Sequence, residues 1–120
     1  MISVQTLEDI NLYITEGKGI LANRNGLDSI IHSAMQTFDG QFLIPSDIDR
    51  VINVYYHLAT TQYFTDGNKR TACLSLKVNF EELGYGFEVK DTILADLTMK
   101  IATNKISEEE CREIIRKYIK

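Results

Sequence analysis

Between positions 48 and 83 this 120-residue chain carries two apolar-periodic runs separated by a short polar break. Ile48, Val51, Ile52, Tyr55, Leu58, Ala59 and Gln62 recur at i, i+3, i+4, i+7 spacing. That is the strongest helical pattern in the sequence, and it carries Gln62 on the inner stripe at the helix end. Ala72, Cys73, Leu76, Phe80 and Leu83 repeat the pattern and predict a helix from about Asn68 that Gly84 ends. Tyr63 to Gly67 reads as the loop between them, with Gly67 supplying a backbone angle that other residues resist.

The rest of the chain follows the same rhythm. Thr6 before Leu7-Glu8-Asp9 reads as the cap of a first helix that Gly17 and Gly19 end, with Leu7, Ile10, Tyr13 and Ile14 at helical spacing. Ile20 to Gly26 is a connector with Asn25-Gly26 as its turn signal. Leu27 to Thr37 reads as a short helix with Leu27, Ile30, Ile31 and Ala34 inward. Asp39-Gly40, flanked by Phe38 and by Gln41-Phe42, predicts a small hairpin flap. Ser46 is the expected cap of the third helix. Residues 85–89 read as an extended link. Asp91 is the expected cap of a fifth helix through about Thr103, with Ile93, Leu94, Leu97 and Ile101 inward. Ser107 with Glu110 forms a capping box that opens a last helix bearing Ile114, Ile115 and Tyr118. The expectation is an all-α single domain over residues 1–120, about six helices with a β-hairpin-like flap.

Charge and composition exclude several classes. The formal net charge of −4 argues against a dedicated nucleic-acid binder, which carries a basic excess. No run approaches a membrane span, and the first residues lack the basic and apolar regions of a signal peptide, so a soluble cytoplasmic protein is expected. The only two cysteines, Cys73 and Cys111, are expected to stay reduced, and Cys73 reads as a core residue.

The break itself is chemically dense: Phe64, Asp66, Gly67, Asn68, Lys69 and Arg70 fall within seven residues. A glycine loop running into a helix N-terminus presents free N–H groups reinforced by the helix dipole, which suits an anion. Lys69 and Arg70 oppose that dipole in the first turn, and an anion such as phosphate would offset them. Asp66 beside phosphate suits Mg²⁺, which binds through one or two carboxylates plus substrate phosphates. From the residues alone the alternative stays open that Asp66-Gly67-Asn68 is a plain helix-start turn with solvated charges. His57 lies about 140° round the helix from Gln62, at roughly 100° per residue, and reads as a surface or rim histidine.

The stretch Gln62-Tyr63-Phe64-Thr65-Asp66-Gly67-Asn68-Lys69-Arg70-Thr71-Ala72 resembles the signature of the Fic/Doc superfamily, His-x-Phe-x-Asp/Glu-Gly/Ala-Asn-Gly/Lys-Arg. Gly26-Leu27-Asp28-Ser29-Ile30-Ile31 is similar to a segment of Doc-like toxins, and Asp39-Gly40 lies where that family has its target-positioning flap. Lys69 in the Asn-Lys-Arg form is most similar to Doc, the toxin of a toxin–antitoxin pair, although AMP-transferring members share it. The resemblance implies a nucleotide-dependent transferase that moves a phosphoryl or AMP group from ATP, with Mg²⁺, onto a protein hydroxyl such as that of elongation factor Tu. It implies that Asp66 holds Mg²⁺. It also implies that the backbone from Gly67 to Lys69 forms an anion hole, with Asn68 contacting phosphate and fixing the loop. Lys69 and Arg70 would stabilise developing charge, and Phe64 would anchor the loop. Phe38, Asp39, Gly40, Gln41 and Phe42 would align a target segment by strand-like pairing. A Phd-like antitoxin is the implied partner.

One position departs. The family has histidine as general base where this chain has Gln62, and an amide cannot take that proton at neutral pH. The resemblance therefore implies a chain impaired in transfer, and the alternative is a non-catalytic pseudoenzyme that binds nucleotide or a protein partner. An introduced substitution, a natural one, or a base supplied by another group each account for Gln62. No Ser or Thr has glutamate four residues on, so the inhibitory Ser/Thr-x-x-x-Glu element of Fic proteins is absent from this sequence.

Overall fold

The computed structural model describes residues 3–120. Among them are six helices and one two-stranded hairpin: α1 Val4–Ile14, α2 Arg24–Ala34, β1 Thr37–Phe38, β2 Gln41–Phe42, α3 Asp47–Thr60, α4 Asn68–Glu82, α5 Asp91–Ala102 and α6 Glu108–Arg116. The all-helical reading with a small flap stands. No helix among the described residues is long and apolar enough to cross a membrane.

The pivot is α3. It packs against α2, α4, α5 and α6, and so buries residues almost all round, from Arg50 through Ala59. α1 lies across α4 and α2 on the side of the α3–α4 loop. The two last helices are fastened to α3 by polar contacts as well as by apolar packing. Tyr55 shares a hydrogen bond with Thr98, the Tyr56 hydroxyl donates to the Ile106 carbonyl, and Asn53 donates to Glu108. Arg116 reaches back to Asp49 at 2.8 Å and to the Ser46 hydroxyl at 3.2 Å. Burial of the Tyr55 ring pushes its hydroxyl pKa far up, so the phenol stays protonated.

Several boundaries differ from the sequence reading, each for a local reason. Ser3, not Thr6, caps α1, because its hydroxyl accepts from the Thr6 N–H one turn further on. Asn23 caps α2 by accepting from the Gly26 N–H, so Asn25-Gly26 lies inside the first turn and is not a loop. That helix ends at Ala34, and Thr37 belongs to the hairpin. Lys90 is the N-cap of α5; Asp91 is its first residue and pairs with Lys77, which holds its carboxyl below the usual range. Tyr13, Leu83 and Ile93 face solvent, and Tyr118 lies beyond the end of α6. Ser46 caps α3 and the Ser107–Glu110 capping box is complete, both as expected.

The end of α3 matters most. The helix stops at Thr60, and Thr61 is already extended, at φ −130° and ψ 145°. The Thr60 hydroxyl donates to the His57 carbonyl in the last turn, a local side-chain bond that competes with the helical ladder. Gln62 is therefore carried by extended backbone rather than by helical phase.

Candidate anion site at the start of the fourth helix

Gln62, Thr65, Asp66, Gly67, Asn68, Lys69 and Arg70 line one open cavity of about 270 Å³. The structure thus brings Gln62 together with Asp66, Gly67, Asn68, Lys69 and Arg70, while Phe64 is turned into the core. His57 remains back in α3, its ring edge-on to Tyr56.

The loop is built inward first. Phe64 is buried, 3% exposed, and its backbone forms an isolated bridge with Leu21. The Tyr63 carbonyl accepts from the N–H groups of Ala22 and Asn23. Thr65 is tied to Ile20 twice: its N–H donates to the Ile20 carbonyl at 2.9 Å, and its hydroxyl accepts from the Ile20 N–H at 3.0 Å. Asn68 closes the loop from the other end. Its Oδ1 accepts from the Phe64 N–H at 2.9 Å, and its Nδ2 donates to the Phe64 carbonyl at 2.8 Å. Both polar ends of the Asn68 side chain are thus engaged in fixing the loop.

The turn into α4 has no side-chain cap; Gly67 is the N-cap with φ +75°, in the left-handed region. The N–H groups of the first turn consequently have no intrahelical partners. The first turn carries no acidic residue to balance the dipole, and instead carries Lys69 and Arg70. In this state the Asp66 carboxylate occupies the turn itself: Oδ1 accepts from the Gly67 N–H at 2.7 Å and lies 3.9 Å from Arg70 Nη2. Asp66 and Arg70 are both well exposed, at 61% and 62%, so neither is locked there by packing.

Two supports were not visible in the sequence reading. Asn11, on the inner side of α1, and Thr15, the C-cap of that helix, lie directly under the turn. Asn11 Nδ2 donates to the Asp66 carbonyl at 2.7 Å, and Thr15 Cγ2 would lie 2.7 Å from a Cβ placed on Gly67. The available signal was a polar residue four after Leu7, on the buried stripe of α1. Arg50 was missed as well. Only 8% exposed, it donates to the carbonyls of Ile44 and Pro45 and stacks its guanidinium 3.8 Å over the Phe42 ring, which ties the base of the hairpin to α3.

A model of the Fic/DOC family matches residues 2–78, which span α1, the hairpin, α3, the loop and most of α4. The match covers more than half of the chain. This chain belongs to the Fic/DOC family. No curated protein matches it. The Fic/DOC match ends inside α4, so α5 and α6, which fasten α3 from the far side, lie outside it.

A second cavity of about 410 Å³ adjoins the first and shares Lys69 and Arg70 with it. Its floor is apolar, with Ile14, Leu74, Leu94 and Met99, and the paired Lys77 and Asp91 also line it. Cys73 also lines it; its thiol donates to or accepts from Thr98, and burial raises its pKa, so it sits there as a neutral thiol.

Proposed function

We propose that this chain is a Doc-like toxin of a toxin–antitoxin pair. By descent it would be a transferase that moves a phosphoryl or AMP group from ATP onto a hydroxyl of a translation factor such as elongation factor Tu. Gln62 leaves it impaired in that transfer. The observation that carries the reading is the convergence of Gln62 with the uncapped, cation-flanked turn of Thr65 to Arg70 in one cavity.

The chemistry follows from the residues. The cavity of about 270 Å³ shares Lys69 and Arg70 with the adjoining one of about 410 Å³, so phosphates held at the turn would leave room beside them for the rest of a nucleotide. The Gly67, Asn68 and Lys69 N–H groups bind phosphate oxygens, and Lys69 and Arg70 stabilise the charge that develops during transfer. Asn68 acts through the loop that it braces. Among the described residues no group of three or more His, Cys, Asp or Glu side chains could hold a metal alone. The single Asp66 carboxylate fits Mg²⁺ shared with substrate phosphates, and fits poorly with any all-protein cage. When bound, Mg²⁺ would neutralise phosphate charge. The hairpin Thr37–Phe38 and Gln41–Phe42 offers exposed strand edges and the exposed Phe38 ring for pairing with a target segment. An acidic amphipathic segment of a Phd-like antitoxin suits the adjoining groove, apolar below and flanked by Lys69 and Arg70, with Lys77 already paired to Asp91 at its other side.

The missing part is the proton acceptor. A general base is worth roughly 10²–10⁴ in rate, and the Gln62 amide cannot serve as one. That same neutral side chain favours a second reading, a pseudoenzyme that binds nucleotide without turnover. Cell growth arrest and transfer from labelled ATP, compared between this chain and Gln62→His, separate the two. Activity that appears only with Gln62→His supports the impaired toxin; no activity in either chain removes it in favour of the pseudoenzyme.

A further inference from the structure

We infer that Asn11 is a positioning residue for the anion turn. From α1 it sets the plane of the Asp66–Gly67 peptide and so aims the Gly67 N–H into the cavity. A peptide unit is planar and trans, so its C=O and N–H point in opposite directions. Asn11 Nδ2 holds the C=O end of this unit, the Asp66 oxygen, at 2.7 Å on the interior side. The N–H end, on Gly67, must then face outward, where the Asp66 carboxylate meets it at 2.7 Å. The contact joins residues 55 apart in sequence, and so it is a tertiary restraint on the turn rather than a property of the turn.

The arrangement is built for this contact at some expense. Asn11 is 1% exposed. Its second donor contact is to Thr71 Oγ1 at 3.1 Å, on α4 itself; the Asp66 carbonyl, an acceptor only, already requires the NH2 end of the amide on that side. Asn11 Oδ1 is buried with no hydrogen-bond partner, a costly state for a carbonyl oxygen. An apolar side chain of the same size would avoid that cost, and so packing alone does not account for an amide here. Two glycines make room for it. A Cβ on Gly19 would run into Asn11 Oδ1, and a Cβ on Gly67 would lie 3.3 Å from Asn11 Nδ2. Thr15 completes the support, accepting from the Gly19 N–H and donating to the Asn11 carbonyl, each at 2.8 Å.

The orientation of the Gly67 N–H is a statement about the free protein. Its consequence for ligand binding rests on the proposed nucleotide reading. The experiment therefore uses two readouts on the full chain: ¹⁵N relaxation at the Gly67 amide without ligand, and calorimetric titration with Mg-ATP. The variants are Asn11→Leu and, as a control, Thr71→Val, which removes the other acceptor of the same amide and leaves the Asp66 contact in place. Asn11→Leu is expected to lower the Gly67 order parameter from about 0.85 to below about 0.6. It is also expected to weaken Mg-ATP about tenfold, the worth of one hydrogen bond. Thr71→Val should lower thermal stability while keeping both readouts. An unchanged Gly67 order parameter in Asn11→Leu would overturn the inference. So would Thr71→Val matching Asn11→Leu in both readouts, because the effect would then be general loosening. If Asn11→Leu does not fold, Asn11→Ser, too short to reach the Asp66 carbonyl, replaces it with the same expectations. If the unsubstituted chain binds no Mg-ATP, the nucleotide reading fails, and the order parameter still decides the role of Asn11.

Discussion

The chain uses the dipeptide Asp-Gly twice, and the two copies end in opposite circumstances. Asp39-Gly40 forms the tip of the β1–β2 hairpin, with φ of +54° and +79°. Nothing lies within 4 Å of a Cβ placed on Gly40, and every residue of the hairpin is exposed. Asp66-Gly67 leads into α4, also with a left-handed glycine, at φ +75°. There a Cβ would strike Thr15 and crowd Asn11, and the flanking backbone is strapped to residues 20–23 and braced by Asn68. The same two residues make a free-standing tip in one place and a fixed donor turn in the other. What separates them is the material underneath, contributed by α1. A rigid turn suits groups that must converge on charge, whereas a lightly held hairpin suits a partner strand of variable position.

The comparison breaks if the two glycines respond alike. Gly67→Ala meets both the left-handed backbone and the Thr15 contact, and should lose about 3 kcal/mol of stability together with Mg-ATP binding. Gly40→Ala meets only the backbone cost, about 1 kcal/mol, confined to the hairpin. Chemical denaturation and calorimetry of the two variants check this, and equal losses would remove the distinction. The aspartates sharpen it further. Asp66→Asn should weaken Mg-ATP about tenfold or more by titration, since a carboxylate suited to a hard cation is lost. Asp39→Asn should leave that affinity within about twofold, the two being independent sites.

Smaller effects are expected where the hairpin meets α3. Arg50→Met removes the guanidinium above Phe42 and its two carbonyl contacts. In a Gln62→His background it should lower transfer to protein several-fold without changing Mg-ATP affinity, since a contact of this kind is worth about 1 kcal/mol. A parallel loss of nucleotide affinity would mean that the hairpin and the turn are one unit. The smallest expected effect lies outside both regions. Lys77 holds the Asp91 carboxyl below its ordinary pKa. That contribution is present above the unfolded carboxylate range and is lost as pH falls through the lowered value. The difference in melting temperature between the chain and Asp91→Asn should therefore be steady near neutrality and vanish in acid, and neither Asp-Gly turn should sense it.

Much of this was legible because it is local. The hairpin follows from Asp39-Gly40 between apolar neighbours, and α4 from its periodicity and from Gly67. The Ser46 cap and the Ser107–Glu110 box depend on residues three apart. The cap of α1 was misplaced because Ser3 and Thr6 are chemically equivalent candidates, and only the actual start of the helix distinguishes them. The route of Gln62 was misread because apolar spacing continues past Thr60 while the backbone does not. Asn11 was illegible for a different reason. A lone polar residue on a buried stripe looks like an interruption until its partner, 55 residues away, is in place. Arg50 is similar: its carbonyl partners belong to a segment without regular structure.

The central claim is that the anion-binding half of this site works without the proton-accepting half. Calorimetric titration of Mg-ATP into this chain and into Gln62→His, with label transfer measured on the same samples, tests it most directly. Affinities within about twofold, with transfer about 10²–10⁴ faster in Gln62→His, are the expected result. A chain that binds Mg-ATP only after Gln62→His would contradict it.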